Sequence, residues 1–240
     1  TNVMLLALPS FDALMQVFAA FRARLQLQAF EFLTDVALQH VLAHGGQAPF
    51  DDVHPFYVVT EFASDEASET EALAAFEQCM EAGLVSDGVI SQSDAQAPQL
   101  REGITESLAR YKPYKNDVSV RISAMPAFLQ ETQALLGEAY PHFDVVWFGH
   151  IGDGNLHINV LKPDGTSDAE FVTQCEQVTK LLAASLKPHQ GSISAEHGIG
   201  LVKKGYLEST RSADEIAVMR GIKRVLDPNG LMNPGKLFDT

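Results

Sequence analysis

Residues 148–159 read FGHIGDGNLHIN, with apolar β-forming residues on both sides of the pair Asp153-Gly154. An Asp-Gly pair between two such runs is a strong signal for a β-hairpin. If a two-residue turn centres on this pair, His150 lies directly across from His157, and opposed residues have Cβ atoms about 4.5–5.5 Å apart. The stretch therefore predicts a hairpin whose two imidazoles converge on one point.

Two imidazoles at that separation can bind one divalent metal ion, and such an ion takes further ligands. The only other segment with similar chemistry is SISAEHGIG at residues 192–200. Its small residues and glycines predict a tight strand-to-helix turn, in which Glu196 and His197 project in different directions. Glu196 would complete a set of two histidines and one carboxylate, which suits zinc, manganese or iron. His197 would then face the substrate as a general base, a common role of imidazole near neutral pH.

Each of these residues also has an ordinary explanation that requires no metal site. A single histidine near a turn is more often a polar residue with a hydrogen-bond partner than a metal ligand, and eight histidines in 240 residues make chance pairs common. Asp153 has an ordinary role as the first residue of a type I′ turn. The prediction of a metal site therefore depends on the hairpin register and the Glu-His turn together.

Composition places the chain among ordinary globular domains, with 46% apolar and 20% charged residues. The net charge of −14, from 31 acidic and 17 basic residues, would repel a phosphate backbone and argues against a nucleic acid partner. Cys79 and Cys175 have no second cysteine at metal or redox spacing, which predicts buried thiols in a reducing compartment. No apolar run reaches the roughly 18 residues of a membrane span. We therefore expect a soluble, cytoplasmic protein.

The sequence lacks the signature motifs of several enzyme classes. The glycines at 149, 152 and 154 do not fit the dinucleotide pattern, which needs a following helix and a later acidic residue. The sequence has neither a glycine-rich loop ending in Gly-Lys-Ser/Thr nor a G-x-S-x-G elbow. These absences argue against a self-contained Rossmann enzyme, a P-loop enzyme and a serine hydrolase.

The spacing of apolar residues predicts an α+β fold, with a mainly antiparallel sheet that carries helices on its faces, in two ferredoxin-like lobes. We expect strands at 3–8, 57–62 and 145–148, helices with Ser10 and Ser167 as N-caps, and further helices at 34–42, 68–80, 126–140 and 213–226. The predicted organisation is a first lobe at 1–90, a connection at 91–115, a second lobe with the metal site at 116–212, and a C-terminal helix and tail at 213–240.

Three motifs together resemble the FAD-linked oxidases of the vanillyl-alcohol oxidase type, and most of all the branch of D-2-hydroxyglutarate and D-lactate dehydrogenases. They are the hairpin, SAEHGIG at 194–200 and LDPNGLMNPGK at 226–236. Shorter matches at 29–32 and 114–120 extend the resemblance over nearly the whole chain. The first two motifs are specific, whereas the last is shared across the wider family.

The resemblance implies that His150, His157 and Glu196 bind a catalytic zinc or manganese ion, with zinc favoured. It implies that His197 takes the hydroxyl proton of a D-2-hydroxy acid of the 2-hydroxyglutarate, lactate or glycolate class, while hydride passes to the flavin of FAD. The product would be the 2-oxo acid. The competing hypothesis is a metal-binding module without redox activity.

Further roles follow from the same resemblance. Asn159 is expected to meet the substrate and Asn233 to lie near the flavin ring. Relatives often carry Arg or Lys for the substrate carboxylate where this sequence has Ala124, so Arg121 is the candidate for that role, although a surface arginine is the ordinary reading.

The resemblance also bears on the extent of the chain and on its partners. The family's FAD-binding domain precedes the part seen here, so we expect a C-terminal portion that alone binds metal but neither holds FAD tightly nor turns over. The electron acceptor stays open between an electron-transfer flavoprotein and a quinone, and a homodimer is also left open.

Overall fold

The computed structural model describes residues 1–43, 45, 48–90 and 112–239. They fall into two compact units, one of residues 1–115 with 142–166 and the other of residues 116–141 with 167–240. The first unit contains β1 (Asn2–Leu8), α1 (Phe11–Arg24), β2 (Ala29–Thr34), α2 (Asp35–Ala43), β3 (Phe56–Phe62), α3 (Glu66–Glu81), β4 (Asp87–Ile90), β6 (Val145–His150) and β7 (Asn155–Val160). Residues 114 and 115 of strand β5 (Tyr114–Ser119) belong to the first unit and its other residues to the second. The second unit also contains α4 (Met125–Ala139), α5 (Asp168–Leu186), α6 (Ala213–Leu226) and 3-10 helices at Ile122–Ala124 and Lys204–Ser209.

The sheet of the first unit has the strand order β4-β1-β3-β2-β6-β7, and each neighbouring pair is antiparallel. Helices connect or flank these strands. The predicted α+β class and the mainly antiparallel sheet are therefore confirmed.

Both faces of this sheet carry helices because its strands alternate apolar side chains between the two faces. On one face, Phe18 of α1 meets Phe30 of β2 edge to face, with ring centroids 5.0 Å apart. On the opposite face, Leu38 of α2 joins a buried cluster with Leu33 and Tyr57. Helix α2 leaves part of that second face to polar residues of β2, β6 and β7, and the candidate site lies there.

The helices and strands expected from sequence periodicity are confirmed to within about two residues at their ends. Ser10 caps α1 by accepting a hydrogen bond from the Ala13 backbone N–H at 3.1 Å, and Ser167 caps α5 in the same way. Cys79 and Cys175 are buried and free, as predicted. Burial raises the pKa of the Cys175 thiol to about 11, which keeps it in the unreactive protonated form.

The two units do not follow the predicted order along the chain. The sequence groups 116–212 into one lobe, whereas residues 142–166 belong with residues 1–115. The reason is long-range pairing: β6 pairs with β2, so that Phe32 lies across from Gly149. Most of the expected connection, residues 91–111, lies outside the described residues.

In the second unit, α4 and α5 pack against each other, and Thr179 of α5 donates a hydrogen bond to Asn116 of β5 at 3.1 Å. Among the described residues, no helix combines the length and the apolar character that crossing a membrane requires.

Candidate metal and proton-transfer site

The hairpin of β6 and β7 has a longer turn than the sequence predicts. Residues Ile151–Asp153 form one turn of 3-10 helix, and Gly154 follows in the left-handed region with φ 68° and ψ 21°. A type I′ turn needs two residues with positive φ, but here only the glycine supplies one, so the role assigned to Asp153 is wrong. His150 consequently lies across from Asn155, and His157 lies across from Phe148.

The predicted convergence of the two histidines survives this register error. The register differs by two residues, and side chains in a strand repeat every two residues, so both imidazoles stay on one face. They are diagonal neighbours rather than opposed ones. The rings of His150 and His157 have centroids 5.4 Å apart at an interplanar angle of 85°, and a ring nitrogen of each lies within 4.8 Å of the other.

Each histidine is held by a different neighbour. His157 stacks on Phe148, with centroids 4.8 Å apart and an interplanar angle of 27°. The Nδ1 atom of His150 lies 3.2 Å from the Oε1 atom of Glu31, the residue directly across from it in β2. The sequence alone assigned no role to Glu31. The signal that could have identified it is an acidic residue between two phenylalanines, Phe30 and Phe32, within a strand.

An open cleft of about 510 Å³ in the first unit borders His150, and its lining also includes Glu31, Arg22 and Asp153. The His150 side chain is 34% exposed. Asn159 follows His157 on the same face of β7 and is buried. The polar end of this face therefore combines two ring nitrogens, a carboxylate and an amide.

Gly149 of β6 permits the close approach of the two hairpin strands. A Cβ atom at this position would lie 2.2 Å from the Asn155 carbonyl oxygen, which is backbone and cannot move aside cheaply. We expect Gly149→Ala to lower the free energy of unfolding by about 1–3 kcal/mol, the usual cost of overpacking. Gly152→Ala is the control, because no atom lies within 4 Å of its added Cβ. Urea unfolding of the two variants measures the difference, and equal stabilities would contradict this account.

The segment 192–200 in the second unit is a tight turn, as predicted. Ser192 forms an isolated antiparallel bridge with Ser119, and Gly198 and Gly200 have positive φ values of 78° and 56°. The element that follows is the short 3-10 helix Lys204–Ser209 rather than an α-helix. Glu196 and His197 are both exposed on this turn.

Asp117 of β5 holds the backbone of the Glu196-His197 pair. One of its carboxylate oxygens, Oδ2, accepts hydrogen bonds from the backbone N–H of Glu196 at 3.1 Å and of His197 at 3.3 Å. Asp117 is only 5% exposed, so these charge-assisted bonds lie away from water. The sequence offered no sign of this anchor beyond the position of Asp117 in the Val-Ser-Val strand.

Lys203 fastens the same turn from its other end. Its Nζ donates to the carbonyl oxygens of Ile193 at 2.7 Å and Asp117 at 3.0 Å. Burial lowers the pKa of Lys203, and the nearby Asp117 carboxylate acts in the opposite direction. The backbone that presents Glu196 and His197 is thus fixed by a buried acid and a half-buried lysine.

The two remaining predicted site residues are both exposed. Arg121 precedes the 3-10 helix Ile122–Ala124. Asn233 has a positive φ of 48°, and its carbonyl oxygen accepts a hydrogen bond from the Lys236 backbone N–H at 3.3 Å. Their roles toward substrate and flavin stay predictions.

Comparison with known proteins agrees with the motifs. Residues 1–237 match the family model described as "FAD linked oxidases, C-terminal domain". The chain is 78% identical over 244 residues to a D-2-hydroxyglutarate dehydrogenase of Xanthomonas citri pv. viticola, covering 100% of this chain and 52% of that protein. It is 50% identical over 242 residues to the enzyme of that name from Stutzerimonas stutzeri, covering 99% of this chain and 52% of that protein.

Solved structures show the same fold at low sequence identity. p-Cresol methylhydroxylase with substrate bound superposes with a TM-score of 0.69 at 11% identity, over 99% of this chain and 53% of that one. The 4-ethylphenol oxidase of Gulosibacter chungangensis gives 0.67 at 14% identity, with the same coverage. The chain spans about half the length of the curated relatives it matches. It belongs to the FAD linked oxidases, as a C-terminal domain of that family.

Proposed function

We propose that this chain is the substrate and metal portion of an FAD-dependent dehydrogenase that oxidises D-2-hydroxyglutarate to the 2-oxo acid. The observation that carries the proposal is the histidine pair on the hairpin, with one ring backed by a carboxylate. The 78% and 50% identity to two proteins named D-2-hydroxyglutarate dehydrogenase supports the choice of substrate within the wider class of 2-hydroxy acids.

The residues fit a zinc or manganese ion. The nitrogens of His150 and His157 are close enough that small ring movements would bring both within the roughly 2.0–2.1 Å of a metal–nitrogen bond. Glu196 is the proposed third ligand, and a catalytic ion with three protein ligands keeps a position open for substrate. When bound, the ion would polarise the hydroxyl group of the substrate, and FAD would provide the hydride acceptor.

His197 is the proposed proton acceptor for the substrate hydroxyl. Its exposed imidazole stands beside Glu196 on a turn whose backbone N–H groups are tied to Asp117. Asn159, which shares a face with His157, is the proposed substrate contact. Arg121 is the proposed contact of a substrate carboxylate, and Asn233 is proposed to lie near the flavin ring.

Other features of the whole protein follow only as proposals. FAD would be held mainly by the portion of the family proteins that this chain does not span, so the chain alone would bind metal without turning over. An electron-transfer flavoprotein or a quinone would reoxidise the flavin. A homodimer and a cytoplasmic location stay predictions.

A substrate panel on the complete protein tests the proposal. We expect kcat/KM for D-2-hydroxyglutarate to exceed that for D-lactate and glycolate at least about tenfold with an artificial electron acceptor, since each 1.4 kcal/mol of selective binding is worth a factor of ten. Elemental analysis of the same sample should find one zinc or manganese ion per chain. Bound metal without oxidation of any hydroxy acid would favour the metal-binding module instead.

A further inference from the structure

Glu31 has no role in the motifs or in the proposed set of metal ligands. Its position is fixed by the backbone, since Glu31 and His150 are directly opposed in the pairing of β2 with β6. Opposed residues on one face have Cβ atoms about 4.5–5.5 Å apart. The contact of 3.2 Å between Oε1 and Nδ1 is therefore built into the sheet register.

The surroundings of Glu31 limit where its carboxylate can go. Its neighbours Phe30 and Phe32 are 4% and 1% exposed, which locks β2 into its register. The Glu31 side chain itself is 20% exposed, so its contact with His150 is only partly open to competition from water. A carboxylate in such a place is costly without a specific partner.

The chemical consequence lies in the tautomer of His150. An ionised carboxylate can only accept a hydrogen bond, so this contact favours the tautomer of His150 in which Nδ1 carries the proton and donates it. The lone pair of a neutral imidazole is then on Nε2. Metal-binding histidines commonly have such a carboxylate on the nitrogen that does not bind the metal.

We infer that Glu31 is a positioning residue for the metal site, which holds the ring of His150 and presents its Nε2 to the ion. This rests on the proposed function, because it assumes that His150 binds a metal. Glu31 would not touch substrate or flavin. Its effect would appear in metal affinity and in the geometry around the ion.

The test compares Glu31→Gln with Glu31→Leu in the complete FAD-containing protein after the metal has been removed with a chelator. The Gln side chain keeps a carbonyl oxygen that can accept the Nδ1–H bond, whereas Leu does not. We expect zinc Kd, measured by competition with a chromophoric chelator, to rise about 10–100-fold in Glu31→Leu, as for other outer carboxylates. The Gln variant should recover most of that loss.

Cobalt substitution gives a readout that a purely structural role would not move. The visible absorption bands of bound Co²⁺ should shift in Glu31→Leu relative to the wild type and move back toward it in Glu31→Gln. If the two variants bound zinc with equal affinity, the inference would be overturned. Both variants lose the negative charge, and only Glu31→Gln keeps a hydrogen-bond acceptor, so equal affinities would mean that the hydrogen bond to His150 has no effect. A wild-type protein that binds no zinc would instead overturn the proposed metal function.

The chain provides two matched controls. Glu131 and His189 form a second carboxylate–histidine contact at 2.8 Å, in the second unit, so Glu131→Leu removes an equivalent pair and should leave zinc affinity within about twofold. Asp153 lines the same cleft as Glu31 but is exposed. Asp153→Asn therefore removes a nearby charge, and a loss equal to that of Glu31→Leu would also contradict the inference.

Discussion

Replacement of His197 by alanine should lower kcat of the complete protein by about 10²–10⁴-fold, the usual contribution of a positioned general base. Metal content should stay at the wild-type level, because the proposed ligands are His150, His157 and Glu196. KM should change less than kcat, since removal of the proton takes place in the transition state rather than on binding.

The structure gives a physical reason to expect this separation. His197 and Glu196 are adjacent and exposed, and their backbone N–H groups share one oxygen of Asp117. Truncation of the His197 side chain leaves both N–H bonds in place, so Glu196 should keep its position. The variant therefore removes one imidazole and little else.

His142 provides the control for this experiment. It is exposed in the first unit, outside the hairpin and outside the Glu-His turn. His142→Ala should retain kcat within about twofold, as surface substitutions usually do. A His197→Ala protein as active as the wild type would show that the proton goes elsewhere.

Local signals in the sequence predicted the elements well. The serine caps and the helix at 213–226 are read from a few neighbouring residues, and the structure confirms them. For the hairpin, such local signals predicted the element but not the pairing of its strands. Its existence follows from Asp153-Gly154, but its register depends on which turn residues adopt positive φ, and only Gly154 does so.

The histidine pair was predicted in spite of this error because only the parity of the register matters for the face. Any error of two residues keeps both rings on one side of the sheet, whereas an error of one residue would have separated them. Convergence of the two rings was thus a safer prediction than direct opposition.

The supporting residues could not be predicted, because they come from distant parts of the chain. Glu31 meets His150 only through the pairing of β2 with β6, and Asp117 meets Glu196 although 79 residues separate the two in sequence. Periodicity reports which side of a strand a residue faces, but it carries no information about which strands become neighbours. The same limit explains why residues 142–166, which include the hairpin, were predicted to belong with the rest of 116–212, whereas they form one unit with residues 1–115.

Replacement of His157 by alanine should remove the metal and the activity together. Loss of one of three ligands should lower metal content of the purified protein to less than about a tenth of the wild type, and kcat/KM should fall about 10³-fold or more. That fall corresponds to about 4 kcal/mol, within the several kcal/mol that a polarising ion contributes to a transition state.

Metal removal from the wild type separates this effect from damage to the hairpin. Chelator-treated wild type should lose activity to a similar extent and regain it when zinc or manganese is added, whereas His157→Ala should not recover. The His157 ring also stacks on Phe148, so His157→Phe is the second variant: it keeps an aromatic ring there but has no ligand nitrogen. Thermal unfolding near that of the wild type, with metal and activity still absent, would assign the loss to the ligand atom. Full activity in His157→Phe would show that the reaction does not need this ligand.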